Sequence, residues 1–224
     1  NICAKYILFV DSDDLLADNA IEVLMDAAYE KNADIVEGEH IEFGDVKPTK
    51  SKSKKIHISG YPWGKVILSE KLLNLCFPES YQYEDTIISA LLIPSCKEVH
   101  IIPNIVYYYR KNVNSVTAKL CNKKESIDTL YMTFYCFKES LKRGNRVSLE
   151  DFLCQVRLNW LRTQMLPINI QKAIFIIEIE MLFCFFDKEA ILLERSLQQL
   201  EKVLKKRSFY AYQLLMNNWQ IWNT

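Results

Sequence analysis

The chain has 224 residues, half of them hydrophobic, with 28 basic and 28 acidic side chains. This length is enough for one substantial core or two smaller ones, and the balanced charge gives no electrostatic basis for nucleic acid as the main partner. Aromatic residues make up 12%, against only five glycines and six prolines, which is typical of an ordered globular protein and excludes a disordered one.

The first predicted element is a buried parallel strand, Tyr6–Val10, that ends in the acidic cluster Asp11-Ser12-Asp13-Asp14. In an open α/β sheet, ligands bind at the carboxyl ends of the strands, where this cluster would lie. Clustered carboxylates repel one another unless a cation or strong donors lie among them, and hard oxygen ligands suit Mg²⁺ or Mn²⁺. For this motif alone, a solvated turn or a helix cap is the alternative.

Strand and helix signals continue to alternate up to about residue 120. Asp18 is predicted to cap a helix at 19–31, a strand follows at 33–43, and the lysine-rich segment 45–55 is predicted to be a solvated loop. The remaining predicted elements of this half are helices at 69–75 and 84–94, the second ending at Pro94, and strands at 98–102 and 105–110.

Beyond residue 120 only helical periodicity remains, which predicts a small helical subdomain. Ser148 and Asp151 match a capping box. The apolar stretch 173–186 contains two glutamates and is shorter than the about 20 residues that span a bilayer, so it predicts a buried helix, with peripheral membrane contact as the alternative. The predicted helices are 123–143, 148–166, 168–186, 188–206 and 210–222.

The cysteines and histidines carry no recognisable site. The seven cysteines are scattered without a Cys-x-x-Cys pair, which favours reduced core cysteines in a cytosolic protein over zinc ligands or disulfides. His40, His57 and His100 are dispersed and show no catalytic spacing. We therefore assign the histidines no role.

Four motifs in the first half, in this order, resemble those of family 2 glycosyltransferases. Each motif is weak alone, and together they cover roughly residues 4–118. They are the Asp-x-Asp segment Ala4–Asp14, the acceptor-side segments Trp63–Lys65 and Phe77–Glu79, the Glu-Asp base motif in Tyr83–Thr86, and the strand and loop that close over the donor pyrophosphate, Val106–Arg110 and Asn114–Thr117.

The resemblance implies a Rossmann-like GT-A fold of the α/β class. We expect part of its mixed sheet with flanking helices in residues 1–120 and an all-α subdomain in 121–224. Family members begin with a strand–turn–helix half that grips the uracil and ribose, whereas this chain opens a few residues before the Asp-x-Asp strand. We therefore expect a fragment of a longer enzyme that is inactive alone.

The resemblance also implies a reaction, the inverting transfer of a sugar from a nucleotide-diphosphate sugar to an acceptor hydroxyl. Asp13 would contact Mn²⁺ or Mg²⁺, Asp11 would position the donor, and Asp14 would support the metal through water or cap the turn. Asp85 would be the general base, and Glu84 would orient it. Both would lie at a helix N-terminus, whose dipole would keep Asp85 ionised. One base and a metal-assisted leaving group require no second catalytic carboxylate, in contrast to a glycosidase.

Four further residues are candidate substrate contacts. Arg110 and Ser115 would donate hydrogen bonds to the donor diphosphate, although an ordinary strand-end salt bridge is the alternative for Arg110. Trp63 would be a platform for a sugar or acceptor ring, with Lys65 near the same rim. Packing under the sheet is an equal alternative for Trp63.

The expected partners are a nucleotide-sugar donor, with a UDP-sugar favoured, and a saccharide or lipid-linked acceptor in bacterial cell-surface polysaccharide synthesis. The expected location is the cytoplasm, with the inner face of the cell membrane as the alternative. A haloacid-dehalogenase phosphatase would require Gly-Thr where Asp14-Leu15 stands. A non-catalytic binding or scaffold module derived from a glycosyltransferase stays open, although the intact acidic residues argue against it.

Overall fold

In a computed structural model the chain forms two compact units. The first, the sheet unit, comprises residues 1–79 and 84–118, and the second, the helical unit, comprises residues 80–83 and 119–224. The predicted boundary near residue 120 lies outside the described residues. The structure describes residues 3–44, 49–50, 57–73, 75–112, 123–145, 147–186 and 193–219.

The sheet unit contains one mixed sheet of six described strands with flanking helices, which confirms the predicted α/β class and the partial GT-A-like fold. The strand order is β1-β5-β3-β6-β2, and β4 pairs with β3. Only β3 and β6 pair in parallel; the other pairs are antiparallel. The strands are β1 Tyr6–Leu8, β2 Leu15–Leu16, β3 Ile35–Gly44, β4 Thr49–Lys50, β5 Lys65–Leu68 and β6 Val99–Lys111.

The first strand differs from its prediction in length and direction of pairing. It ends at Leu8 and pairs antiparallel with β5 at the end of the strand order, where only Tyr6 is buried. Phe9 then leaves this pairing for an isolated parallel bridge to Trp63. An apolar run alone cannot distinguish a central parallel strand from an edge strand whose residues are half-buried.

The last strand is continuous where two strands were predicted. β6 passes through Pro103, and its register with β3 shifts there, so that Glu37 lies opposite Ile101 and Glu39 opposite Ile105. Proline has no N–H for the ladder, and a bulge accommodates it without ending the strand. At Gly38, within this shift, an added Cβ would lie 2.5 Å from Cγ1 of Val106, so the close approach requires glycine.

The helices of the sheet unit are short, and the predicted cap of the first one is wrong. Helix α1 begins at Ala20 with Asn19 at the N-cap position and no side-chain cap, so Asp18 is not its cap. The second predicted helix ends at Ser95, one residue after the predicted end at Pro94, and a π-helical turn lies directly before that proline. These helices are α1 Ala20–Glu30, α2 Ser69–Leu72, and the π turn Ile88–Leu92 continuing into α3 Ile93–Ser95.

The helical unit has a core of its own, built from large aliphatic and aromatic side chains on every helix. The capping box is confirmed, since the Ser148 Oγ accepts a hydrogen bond from the Asp151 backbone N–H at 3.0 Å. The apolar stretch 173–186 lies mostly in α6 and buries Phe175 and Leu182. The helices are a 3₁₀ turn Lys124–Ile127, then α4 Asp128–Lys142, α5 Leu149–Thr163, α6 Ile168–Phe185, α7 Arg195–Lys205 and α8 Phe209–Asn217.

None of the helices within the described ranges has the length and apolar composition needed to cross a membrane.

Candidate active site

The acidic cluster forms a loop between β1 and β2, and strand β6 holds it in place. The backbone N–H of Asp11 donates to the Tyr107 hydroxyl at 3.0 Å, and the N–H of Asp14 closes a turn onto the Asp11 carbonyl at 3.2 Å. The backbone N–H of Arg110 donates to Oδ1 of Asp14 at 2.7 Å. Both ends of the loop are therefore fixed to the same strand.

Arg110 fixes the backbone of Asp13. Its Nε donates to the Asp13 carbonyl oxygen at 2.7 Å, and its guanidinium lies 4.5 Å from the centre of the Phe43 ring. The Arg110 and Asp13 side chains are both exposed. Among the described residues, the polar partner of Arg110 is this carbonyl instead of the carboxylate of a strand-end salt bridge, so the Asp13 carboxylate stays available to a ligand.

Three neighbouring carboxylates act on Asp11 in this loop. Burial raises the pKa of Asp11, and the negative charges of Asp14, Asp13 and Glu84 raise it further. The structure therefore brings Asp11 within electrostatic range of Glu84, although about 70 residues of sequence separate the two. Repulsion of this kind is relieved by a bound cation or by strong hydrogen-bond donors.

The loop fits a divalent cation that has few protein ligands. Asp14 is 8% exposed, and its Oδ2 has no hydrogen-bond partner within the described ranges, which leaves a buried acceptor unsatisfied. In the same ranges, no three His, Cys, Asp or Glu side chains converge into a metal cage. Mg²⁺ commonly binds through one or two carboxylates and completes its coordination with substrate phosphates and water.

Glu84 and Asp85 occupy the turn that leads into the helical segment 86–95. The Asp85 carbonyl accepts a hydrogen bond from the N–H of Ile88 at 2.8 Å, which places both residues at the N-terminal end of this segment. Glu84 is exposed and Asp85 partly exposed. Their position at a helix N-terminus is the one that the base motif implied, while their roles stay predictions.

Trp63 lies inside an aromatic stack and not on the surface. Its ring is parallel to those of Tyr61, Tyr107 and Tyr109, at centroid distances of 4.8, 4.7 and 5.1 Å. Trp63 is only 5% exposed, so the geometry supports its packing role and offers no surface for a sugar. Tyr61, two residues before Trp63, is 50% exposed. The sequence interpretation did not single out this second aromatic residue, although it lies beside the Trp63 motif.

Lys65 is also enclosed, and its geometry does not support a contact with an acceptor. Its Nζ forms an ion pair with Glu37 at 3.4 Å, both side chains having no exposure, and it donates to the carbonyl and the hydroxyl of Ser59. Glu37 accepts hydrogen bonds from the Ser59 N–H and hydroxyl. The pair therefore fixes the start of the loop that carries Tyr61.

Ser115 lies outside the described residues.

The sequence matches no protein-family model and no curated protein. Solved structures are similar to the chain in fold. S. aureus TarS 1-349 in complex with UDP-GlcNAc superposes with a TM-score of 0.70 at 11% identity, covering 97% of this chain and 68% of that one. TarS is a glycosyltransferase with a GT-A-like fold. This chain has a glycosyltransferase-like fold.

Two further TarS structures support the same conclusion about the fold. A longer form of TarS has a TM-score of 0.65 at 12% identity, and this chain spans 40% of its length. TarS 1-349 in complex with UDP has a TM-score of 0.51 at 11% identity and is covered over 68% of its length. At these identities the likeness concerns the fold alone.

Proposed function

We propose that this chain belongs to an enzyme that transfers a sugar, with inversion, from a nucleotide-diphosphate sugar to an acceptor hydroxyl. The observation that carries the proposal is the loop of carboxylates fastened to β6 within electrostatic range of Glu84, in a glycosyltransferase-like fold. The TarS structures contain UDP-GlcNAc and UDP, which favours a UDP-sugar as the donor.

On the donor side, the exposed carboxylate of Asp13 would hold Mn²⁺ or Mg²⁺, and Asp11 would position the donor. A bound ion would act as a Lewis acid on the departing diphosphate. Arg110 uses its Nε to fix Asp13, and the remaining N–H groups of its exposed guanidinium are suited to a diphosphate oxygen. Ser115 would add a hydrogen bond from the following segment.

On the acceptor side, Asp85 would accept the proton of the attacking hydroxyl as general base, and Glu84 would orient it. The N-terminal end of the segment 86–95 is a favourable position for a carboxylate, because the helix dipole places partial positive charge there. A single base on the face opposite the leaving group gives inversion. We extend the proposal to a saccharide or lipid-linked acceptor in bacterial cell-surface polysaccharide synthesis at the inner face of the membrane.

The first experiment is calorimetric titration of UDP-GlcNAc with and without Mn²⁺ into the longest natural form of the protein. We expect metal-dependent binding that is at least about tenfold weaker in Asp13→Asn, because the carboxylate contacting the ion is lost. Asp26→Asn, an exposed aspartate on α1, is the matched control and should bind as the wild type does. Equal binding with and without the metal, unaffected by Asp13→Asn, would contradict the proposal.

A second assay separates the enzyme from a non-catalytic scaffold module of the same ancestry. Slow hydrolysis of the bound donor by water releases UDP and needs no knowledge of the acceptor. We expect Asp85→Asn to lower this rate by about 100-fold or more, since general-base catalysis contributes about 10²–10⁴. Tight metal-dependent binding with no UDP release in the wild type would favour the scaffold.

A further inference from the structure

Tyr61 is an exposed aromatic ring with a rigid base. One side of the ring is stacked on Trp63 at 4.8 Å with an angle of 5° between the planes, yet half of the residue remains accessible. Pro62 follows directly and restricts the backbone of Tyr61 to extended conformations. A ligand that binds this ring would therefore lose little affinity to ordering the Tyr61 side chain and backbone.

The stack connects Tyr61 to the acidic loop. Trp63 lies 4.7 Å from Tyr107, whose hydroxyl accepts the hydrogen bond from the Asp11 N–H. Burial raises the pKa of the neighbouring Tyr109, and Asp14, Tyr61, Asp11 and Asp13 all add to that shift. Tyr61 and the acidic loop therefore both lie within electrostatic range of the Tyr109 hydroxyl.

Gly60, the residue before Tyr61, lies close to the helical segment that follows the proposed base. An added Cβ at Gly60 would lie 3.1 Å from the Cβ of Ser89, four residues beyond Asp85. The segment that carries Tyr61 thus packs against the helical segment that follows Glu84 and Asp85. The segment 60–61 therefore has contacts that lead towards both groups: the aromatic stack leads to the acidic loop, and Gly60 packs against the helical segment after the proposed base.

The ring that is transferred must lie between those same two groups, because it is bonded to the diphosphate and attacked by the deprotonated acceptor. A pyranose has one face of C–H groups, and such a face packs well on a flat, electron-rich aromatic ring. We propose that Tyr61 is the platform for the sugar ring of the donor. This inference rests on the proposed function and assigns the saccharide subsite to a residue outside the family motifs.

The test compares the sugar-bearing and sugar-free nucleotide. With Mn²⁺ present, Tyr61→Ala should bind UDP-GlcNAc about fivefold to tenfold more weakly and UDP as the wild type does, since only the former reaches the ring. Tyr61→Phe, which keeps the ring, should retain near wild-type affinity for both. Tyr29→Ala removes another exposed tyrosine of the sheet unit, 57% accessible, and should change neither.

Saturation-transfer NMR with methyl N-acetylglucosaminide gives an independent readout of the platform without nucleotide or metal. We expect signal from the C–H face of the sugar with wild-type protein and its loss in Tyr61→Ala. Metal-dependent UDP binding together with unchanged UDP-GlcNAc affinity in Tyr61→Ala would overturn the platform and leave the proposed function intact. A Tyr61-dependent sugar signal without UDP binding would support the platform and count against the nucleotide-sugar donor, and absence of both would overturn both.

Discussion

The hydroxyl of Tyr107 joins the acidic loop to the sheet by accepting a hydrogen bond from the Asp11 N–H. Tyr107→Phe should keep the ring stacked on Trp63 and lose that bond, at a cost of about 1 kcal/mol. Amide exchange at Asp11 should become faster, and the affinity for UDP with Mn²⁺ should fall. Tyr108→Phe is the matched control, because the next residue of a strand points to the opposite face. Unchanged exchange at Asp11 in Tyr107→Phe would show that the loop is held by other contacts.

At the level of single residues, motif spacing singled out the acidic loop but did not decide whether Trp63 and Lys65 are exposed. Asp11, Asp13 and Glu84 could be selected because short motifs preserve their spacing. For Trp63, packing was an equal alternative to a sugar platform and agrees with its burial, while Lys65, predicted near the same rim, is buried in its ion pair with Glu37. Burial of an individual side chain depends on which strands become neighbours, and a single sequence does not encode that in any local pattern.

Glu37 on β3 and Lys65 on β5 lie directly opposite each other and form an ion pair that connects the two strands. Lys65→Met should destabilise the protein by about 3–5 kcal/mol, because it removes the ammonium group that is paired with a fully buried carboxylate. Urea unfolding followed by circular dichroism measures the loss. The double variant Lys65→Met with Glu37→Met should recover part of the loss, since it also removes the buried charge that was paired with Lys65.

An exposed pair in the same unit provides the comparison. Lys111 and Glu42 form an ion pair at 2.7 Å, with side-chain exposures of 44% and 28%. Lys111→Met should therefore cost no more than about 1 kcal/mol. Equal losses for Lys65→Met and Lys111→Met would mean that the Glu37 site admits water.

The type of a secondary-structure element could be predicted where its periodicity extends over many residues, but its first and last residues could not. The helices of the second half and strand β3 could be recognised from many residues that agree with one another. The break predicted at Pro103 is wrong, because a bulge accommodates this proline, whereas the helix predicted to end at Pro94 ends one residue later, at Ser95. Proline signals a missing donor, and tertiary packing decides whether the element ends or deforms.

At the scale of a whole unit, the helical unit contains a fully buried carboxylate. Asn159 and Tyr212 donate hydrogen bonds to Glu178 at 3.1 and 3.0 Å. Burial raises the pKa of Glu178 to about 8 from an ordinary value of 4.5, although these two hydrogen bonds lower it in part. Burial, followed by the charge of Glu178, also raises the pKa of Tyr212 well above its ordinary value.

This raised pKa gives the helical unit a defined pH dependence. Folding binds a proton at Glu178 that the unfolded chain releases, so stability is greatest below pH 4.5 with respect to this group and falls as pH rises towards about 8. The slope should reach up to about 1.4 kcal/mol per pH unit. Hydrogen-exchange protection of α5 and α6 across this range measures it.

The variant Glu178→Gln should remove this slope, because glutamine does not titrate. Glu180→Gln is the control on the same helix, since that side chain is 59% exposed and should leave the slope unchanged. A wild-type protein whose helical protection is constant between pH 5 and about 8 would show that Glu178 stays ionised in the fold.

The overall α/β class with a helical second half could be predicted before the structure, because alternating and then purely helical periodicities extend over about a hundred residues each. The strand order could not. It places β1 and β2 at opposite ends of the sheet although six residues separate them, and pairs β3 in parallel with a strand more than fifty residues away. Such pairings depend on long-range contacts that local composition does not record.

The register shift at Gly38 also bears on how the sequence can diverge. Two residues of β3 face a longer stretch of β6 there, and Tyr107 follows the shift. Removing one residue from this part of β6 would reverse every later side chain, turning Tyr107 away from the acidic loop and Tyr108 towards it. Related proteins should therefore gain or lose residues at this point in pairs, and an odd change would mark a copy that has lost the site.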